Sequence, residues 1–126
     1  MGQGYLMDTN TVIDYLDNKL PIAAANFIDN IVIEKSVIVR IELLVWQGAT
    51  PAQLQVLNGF INSAIVFNLE EAIILSAIDV RKHYKLKLAD AIVAATALVN
   101  GYILLSRNLS DFNKMPVLKV IDPYTL

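Results

Sequence analysis

The sequence predicts an α/β protein built on a parallel sheet. Short apolar runs recur along the chain, and stretches with helical spacing of apolar residues separate them. The runs are continuous rather than alternating, as strands are when helices cover both sheet faces. At 126 residues the chain is the length of one ordinary domain, residues 1–126, and no repeat or linker divides it.

Each element follows in order. Tyr5-Leu6-Met7 reads as a first strand ending at Asp8. Thr9 or Asn10 then caps a helix that runs to about Leu16, with Val12, Ile13 and Tyr15 apolar. Pro21 suits the first turn of a second helix through Phe27 and Ile28, which Asn30 breaks. Ile31-Val32-Ile33 is the second strand, with Glu34 and Lys35 at its end. Ser36 caps a segment that sets Val39, Leu43 and Trp46 on one helical side, and Gly48 stops it. Thr50-Pro51 opens another helix, with Leu54, Leu57 and Ile61 at helical spacing. Ile65-Val66-Phe67 is the third strand. Asn68 and Glu71 are spaced as a capping box ahead of Ile73, Ile74, Ala77, Ile78 and Val80. A helix over residues 89–100 stops at Gly101. Residues 102–105 form the fourth strand, a short turn passes through Asp111-Phe112, and residues 117–121 form a fifth strand interrupted by Lys119.

Composition excludes several classes of function. With 10 Lys and Arg against 12 Asp and Glu, the net charge of −2 rules out nucleic-acid binding by a basic surface alone. A disordered acidic tail is equally excluded, since 56% of residues are hydrophobic and 17% charged. There is no Cys and a single His, so disulfides, Cys-based zinc sites and His clusters are out. No basic and apolar leader precedes Lys19, and Leu6 stands where a myristoylation signal wants Ser or Thr. The most apolar stretch, residues 91–99, is too short to span a membrane. A soluble cytoplasmic protein with no membrane association is the expectation. The mean hydropathy of +0.51 is high for a small domain and suggests apolar surface covered by a partner.

Most of the acids sit in helix first turns or beside polar residues. Asp8, Glu42, Asp90 and Asp111 do not: Asp8 ends an apolar strand, Glu42 interrupts Ile41-Glu42-Leu43-Leu44, Asp90 opens Ala89-Asp90-Ala91-Ile92, and Asp111 precedes Phe112. Each has an ordinary structural explanation. Asp8 and Asp90 also suit helix caps or first turns, Glu42 the polar side of its helix, and Asp111 a turn. Their joint placement argues for a site, because ligands of open parallel sheets bind beyond the carboxyl ends of the strands. Asp8 and the 106–111 loop lie at such ends. Carboxylates that converge there repel one another without a counter-charge, and a divalent cation supplies one. An all-oxygen donor set favours Mg²⁺, with Mn²⁺ as a substitute, over zinc.

At these residues the sequence resembles the PIN-domain ribonucleases, especially the VapC toxins of bacterial toxin–antitoxin pairs. The resemblance rests on Tyr5-Leu6-Met7-Asp8-Thr9-Asn10, on Ser36 with Glu42-Leu43-Leu44, on residues 88–97, and on Leu105-Ser106-Arg107-Asn108-Leu109-Ser110-Asp111-Phe112. It implies a Rossmann-like, three-layer fold: a central parallel sheet of four or five short strands with helices on both faces. It also implies a metal-dependent endoribonuclease, a homodimer, and inhibition by a cognate antitoxin. Asp8, Glu42, Asp90 and Asp111 fall on the family's acidic positions. Asp8 and Asp90 would ligate metal directly, and Asp111 would hold a second ion or a metal-bound water. Glu42 would orient or deprotonate the attacking water, and the last two roles are interchangeable. Asn10, Ser106 and Asn108 match supporting polar residues; Ser106 replaces the commoner Thr, and Asn108 stands where many relatives carry a further Asp. Arg40 and Arg107 are the candidate contacts to RNA phosphates. For Lys85 and Lys87 a solvated surface is the favoured reading.

Two alternatives compete with the nuclease. One is a PIN-like module that binds RNA or protein without cutting. The other is a haloacid-dehalogenase-like phosphatase with Asp8 as nucleophile, suggested by Asp8-Thr9-Asn10-Thr11-Val12, although Asn10 replaces the general acid of that signature.

Overall fold

Strand β1 (Tyr5–Met7) lies at the centre of a parallel sheet ordered β3-β2-β1-β4-β5, where β2 is Ile33–Ser36, β3 Ile65–Phe67, β4 Ile103–Leu105 and β5 Val120–Ile121. The computed structural model describes residues 3–31, 33–36, 50–63, 65–67 and 69–125. Helices α1 (Thr9–Leu16) and α2 (Ile22–Asp29) connect β1 to β2, and α3 (Pro51–Ser63) precedes β3. Helices α4 (Glu71–His83) and α5 (Leu88–Asn100) lead to β4, and the one-turn helix α6 (Leu109–Phe112) follows it.

The register places Tyr5 opposite Ile33 and Ile103, Leu6 opposite Glu34 and Leu104, and Met7 opposite Leu105. Successive side chains of a strand point to opposite faces. Leu6, Met7, Leu104 and Leu105 are all fully buried, so both faces of the sheet are covered at its centre. The handedness rule for parallel crossovers explains how. The chain moves outward from β1 through β2 to β3, then returns past β1 to β4. Right-handed crossovers therefore put α1 and α2 on one face and α4 and α5 on the other.

Helix α5 is apolar all round, and residues 91–97 are buried without a break. Its Ile92 and Ala95 pack against Ile73 and Ala77 of α4. Past its end Gly101 adopts φ 67°, ψ 31°, a left-handed conformation that only glycine enters cheaply. There the Gly101 N–H donates to Leu98 O and the Tyr102 N–H to Ala97 O, the paired bonds of a Schellman stop. Thr50 and Gln53 form a reciprocal capping box at α3, at 2.8 and 3.1 Å.

Several boundaries depart from the sequence reading. The cap of α1 is Asp8, whose Oδ1 accepts from the Thr9 N–H at 2.9 Å; Thr9 and Asn10 are inside the helix. Strand β2 runs through Glu34 and Lys35 to Ser36, because pairing to β1 and β3 outweighs their low strand propensity. Helix α4 is capped by Glu70 without a side-chain bond, and the Asn68 of the expected box lies outside the described residues. The fifth strand shortens to Val120–Ile121, and Leu54 is exposed although helical spacing puts it on an apolar face. The predicted helix with Val39, Leu43 and Trp46 lies outside the described residues.

Candidate active site at the carboxyl edge of the sheet

Strand order reverses between β1 and β4, which makes the crevice past their carboxyl ends the topological switch point. Asp8 and Ser106 are the first residues beyond those two ends. The ladder continues one step past the strands, with the Asp8 N–H donating to Leu105 O at 3.0 Å and the Ser106 N–H to Ile121 O at 3.0 Å. Backbone pairing thus sets both side chains on one edge.

A continuous line of hydrogen bonds runs from there. The Ser106 hydroxyl, fully buried, donates to Asp8 Oδ2 at 2.9 Å and accepts the Asn108 N–H at 3.0 Å. The Asn108 side-chain amide donates to Asp111 Oδ2 at 3.1 Å. Asp8 and Asp111 are therefore coupled through two residues of the 106–111 loop, although 98 positions separate Asp8 from Ser106. The Asn108 bond is the main reason the Asp111 carboxyl lies below the usual carboxylate range. Burial opposes that shift, and the charges of Lys114 and Lys87 reinforce it. Lys114 Nζ stands 3.5 Å from Asp111 Oδ1.

Asp90 occupies the first turn of α5, three residues after the capping position Lys87, and is half-buried. Lys87, the capping residue of α5, adds a small charge effect that favours the ionised form of Asp111. Asn10 is exposed in the first turn of α1. Arg107 turns to Tyr124 and Asp14: its guanidinium carbon lies 4.1 Å from the Tyr124 ring centre and Nη1 lies 4.0 Å from Asp14 Oδ2. Glu42 and Arg40 lie outside the described residues. Among the described residues, no three His, Cys, Asp or Glu side chains are grouped closely enough to hold a metal ion.

Two cations at the edge were not apparent as site residues in the sequence. Lys114 follows Asp111 by one helical turn, a spacing that could have flagged it. Lys87, read as solvated surface, is exposed but close enough for its charge to act on Asp111. A cavity of about 540 Å³ lies elsewhere, between Leu16 at the far end of α1 and Ile22, Ala25 and Asp29 of α2.

The fold and its edge define an open parallel α/β protein with an acidic switch point. The chain belongs to the PIN-domain family, whose model matches residues 5–118. Similar solved structures include a toxin–antitoxin complex from Klebsiella pneumoniae, 29% identical with a TM-score of 0.78, covering 96% of this chain and 98% of that one. DNA-bound VapBC from Salmonella typhimurium is 22% identical with a TM-score of 0.82, covering 97% and 99%. VapBC2 from Rickettsia felis, bound to a promoter DNA fragment, is 18% identical with a TM-score of 0.79, covering 93% and 96%. No curated protein sequence matches the chain. The resemblance to VapC-type PIN toxins is thereby borne out. No helix among the described residues is long and apolar enough to cross a membrane.

Proposed function

We propose that the protein is a metal-dependent endoribonuclease acting as the toxin of a cytoplasmic type II toxin–antitoxin pair. The observation that carries this reading is the bonded line Asp8–Ser106–Asn108–Asp111 across the switch point. An ordinary capping aspartate needs no fully buried serine on its second oxygen. The residues suit a hard cation by donor chemistry, since carboxylate, hydroxyl and amide oxygens line the edge and softer ligands do not. Asp8 and Asp90 would ligate Mg²⁺ or Mn²⁺ directly and Asp111 would hold a second ion or a metal-bound water, with Glu42 completing the acidic set; the three described carboxylates are not grouped closely enough to share one ion.

When bound, the ion lowers the pKa of water and stabilises charge on the scissile phosphate. The protein's own residues do the rest. Ser106 fixes one Asp8 oxygen and the α1 cap fixes the other, which orients the carboxylate at the sheet edge. Asn108 favours the ionised form of Asp111 and directs it along the same edge. Glu42 or Asp111 orients and deprotonates the attacking water. Arg107 and Arg40 contact RNA phosphates.

The likeness to toxin–antitoxin complexes supports an antitoxin partner. Exposed Ile74, Leu75 and Ile78 on α4 support a homodimer, because they present apolar side chains along one helix. Membership in the PIN family leaves the phosphatase reading without support.

The test is cleavage of structured RNA and tRNA by the purified protein with Mg²⁺, with Mn²⁺ and with EDTA. Cleavage that needs the ion and disappears in Asp8→Asn supports the reading. RNA binding without cleavage under any divalent ion would establish the non-cutting module instead.

A further inference from the structure

Arg107 is gripped by parts of the chain far from it in sequence. It follows Ser106, the residue that anchors Asp8. Its guanidinium lies over the Tyr124 ring, and the Tyr124 hydroxyl donates to Oδ2 of Asp14, the same oxygen that Arg107 approaches. Asp14 belongs to α1, the helix that Asp8 caps. Tyr124 sits in a 3₁₀ turn, Pro123–Thr125, just after β5. Asp122 holds that turn: its Oδ1 accepts the Tyr124 N–H at 2.9 Å, and its carbonyl accepts the Thr125 N–H at 3.1 Å.

The grip is asymmetric. The Asp14 side chain is 19% exposed and that of Arg107 57%. A 4.0 Å approach is longer than a hydrogen bond, so Asp14 orients the guanidinium without consuming its donors. The ring contact consumes none either, because it engages the cation through the π face. A free arginine loses considerable rotamer freedom on binding, and one already held in place loses less. Burial and the Asp14 bond raise the Tyr124 pKa, the nearby Arg107 lowers it, and the net shift is upward, so the hydroxyl is protonated and donating at neutral pH.

We infer that Tyr124 and Asp14 are positioning residues that hold Arg107 as a preformed contact for one backbone phosphate of RNA. This rests on the nuclease reading for its substrate class, but its test does not require cleavage.

The experiment measures binding of a labelled single-stranded RNA oligonucleotide in EDTA over a range of NaCl concentrations, and KM and kcat in Mg²⁺. Arg107→Ala should weaken binding and lower the slope of log K against log salt by about 0.7, the value for one lost phosphate contact. Tyr124→Leu should weaken binding about threefold to tenfold and raise KM with kcat retained, whereas Tyr124→Phe keeps the ring and most of the affinity. Adding Tyr124→Leu to Arg107→Ala should cost nothing more. Wild-type affinity in Tyr124→Leu, an additive double variant, an unchanged salt slope in Arg107→Ala, or no RNA binding by the wild type would each overturn the inference. Arg107 is exposed, so its variant reports even where Tyr124→Leu lowers stability. A coupled pair in a protein that does not cut RNA sinks the nuclease reading alone. Cleavage with an additive pair sinks this inference alone.

Discussion

Asp8 and Asp111 terminate the same line of hydrogen bonds, yet they are held by different means. Asp8 extends the central strand, whose Leu6 and Met7 are fully buried, and its partner Ser106 is itself buried. Its position is set by backbone pairing and would survive changes at the surface. Asp111 sits on a four-residue helix, and its partners Asn108 and Lys114 are partly or largely solvated. Its position depends on a loop, and its charge state on neighbouring side chains. The sheet therefore supplies geometry at one end of the site, and local chemistry supplies electrostatics at the other.

The largest effect should come from breaking the rigid end. Asp8→Asn keeps an acceptor for the α1 cap but loses the charge, so cleavage should fall by about a hundredfold or more while the melting temperature holds. Thermal stabilisation by Mn²⁺ should vanish with it, which a melting titration reads directly. If Asp8→Asn still cuts RNA, the rigid end is only structural.

Ser106→Ala removes the donor to Asp8 and leaves the part-buried Asn108 N–H without its acceptor. Urea unfolding should show a loss of about 1–3 kcal/mol. Activity should drop about 10–100-fold, as when the support of a metal ligand is lost.

At the softer end the effects should appear in titration before stability. Asn108→Ala should move the Asp111 carboxyl up towards its ordinary value by more than Lys114→Gln does, because the amide bond is the leading cause of its depression. Carboxyl chemical shifts followed by NMR would check the order. The sign follows from the lowered value: Asp111 contributes stability above its unfolded pKa of 3.8 and loses it as pH falls through the lower folded value. Asn108→Ala should therefore flatten the acid limb of the stability curve. A larger shift in Lys114→Gln would mean that charge, not the hydrogen bond, governs Asp111.

The smallest effect lies away from both ends. Tyr15 donates to Asp29 across α1 and α2, and that bond is the main reason its hydroxyl is pushed up to about 12 from 10.0. The neutral hydroxyl is favoured on folding, so its contribution is full below pH 10 and is lost as pH rises towards 12. Tyr15→Phe should reduce the alkaline fall in the urea midpoint over that window and leave RNA cleavage unaltered. A change in cleavage would tie the α1–α2 cavity to the site.

How much of this was legible in advance divides along a physical line. The apolar runs of β1 and β3, the Gly101 stop and the start of α3 at Thr50-Pro51 follow from neighbours within a few residues, and each stands where local rules put it. Asp8 could be picked out because an acid directly after a buried strand is unusual. Helical spacing likewise placed Leu54 on an apolar face, but it could not say whether anything covers that face, and Leu54 is exposed.

Composition and local pattern alone determined an α/β protein with acids at strand ends, because propensity, capping and periodicity act within a few residues. Only the tertiary structure decided that β4 lies beside β1. That pairing brings Ser106 to Asp8, and the short β5 beyond it carries Tyr124 to Asp14 across 110 residues. Strand order is chosen by burial of the whole sheet and by crossover handedness, and no short window of sequence encodes either.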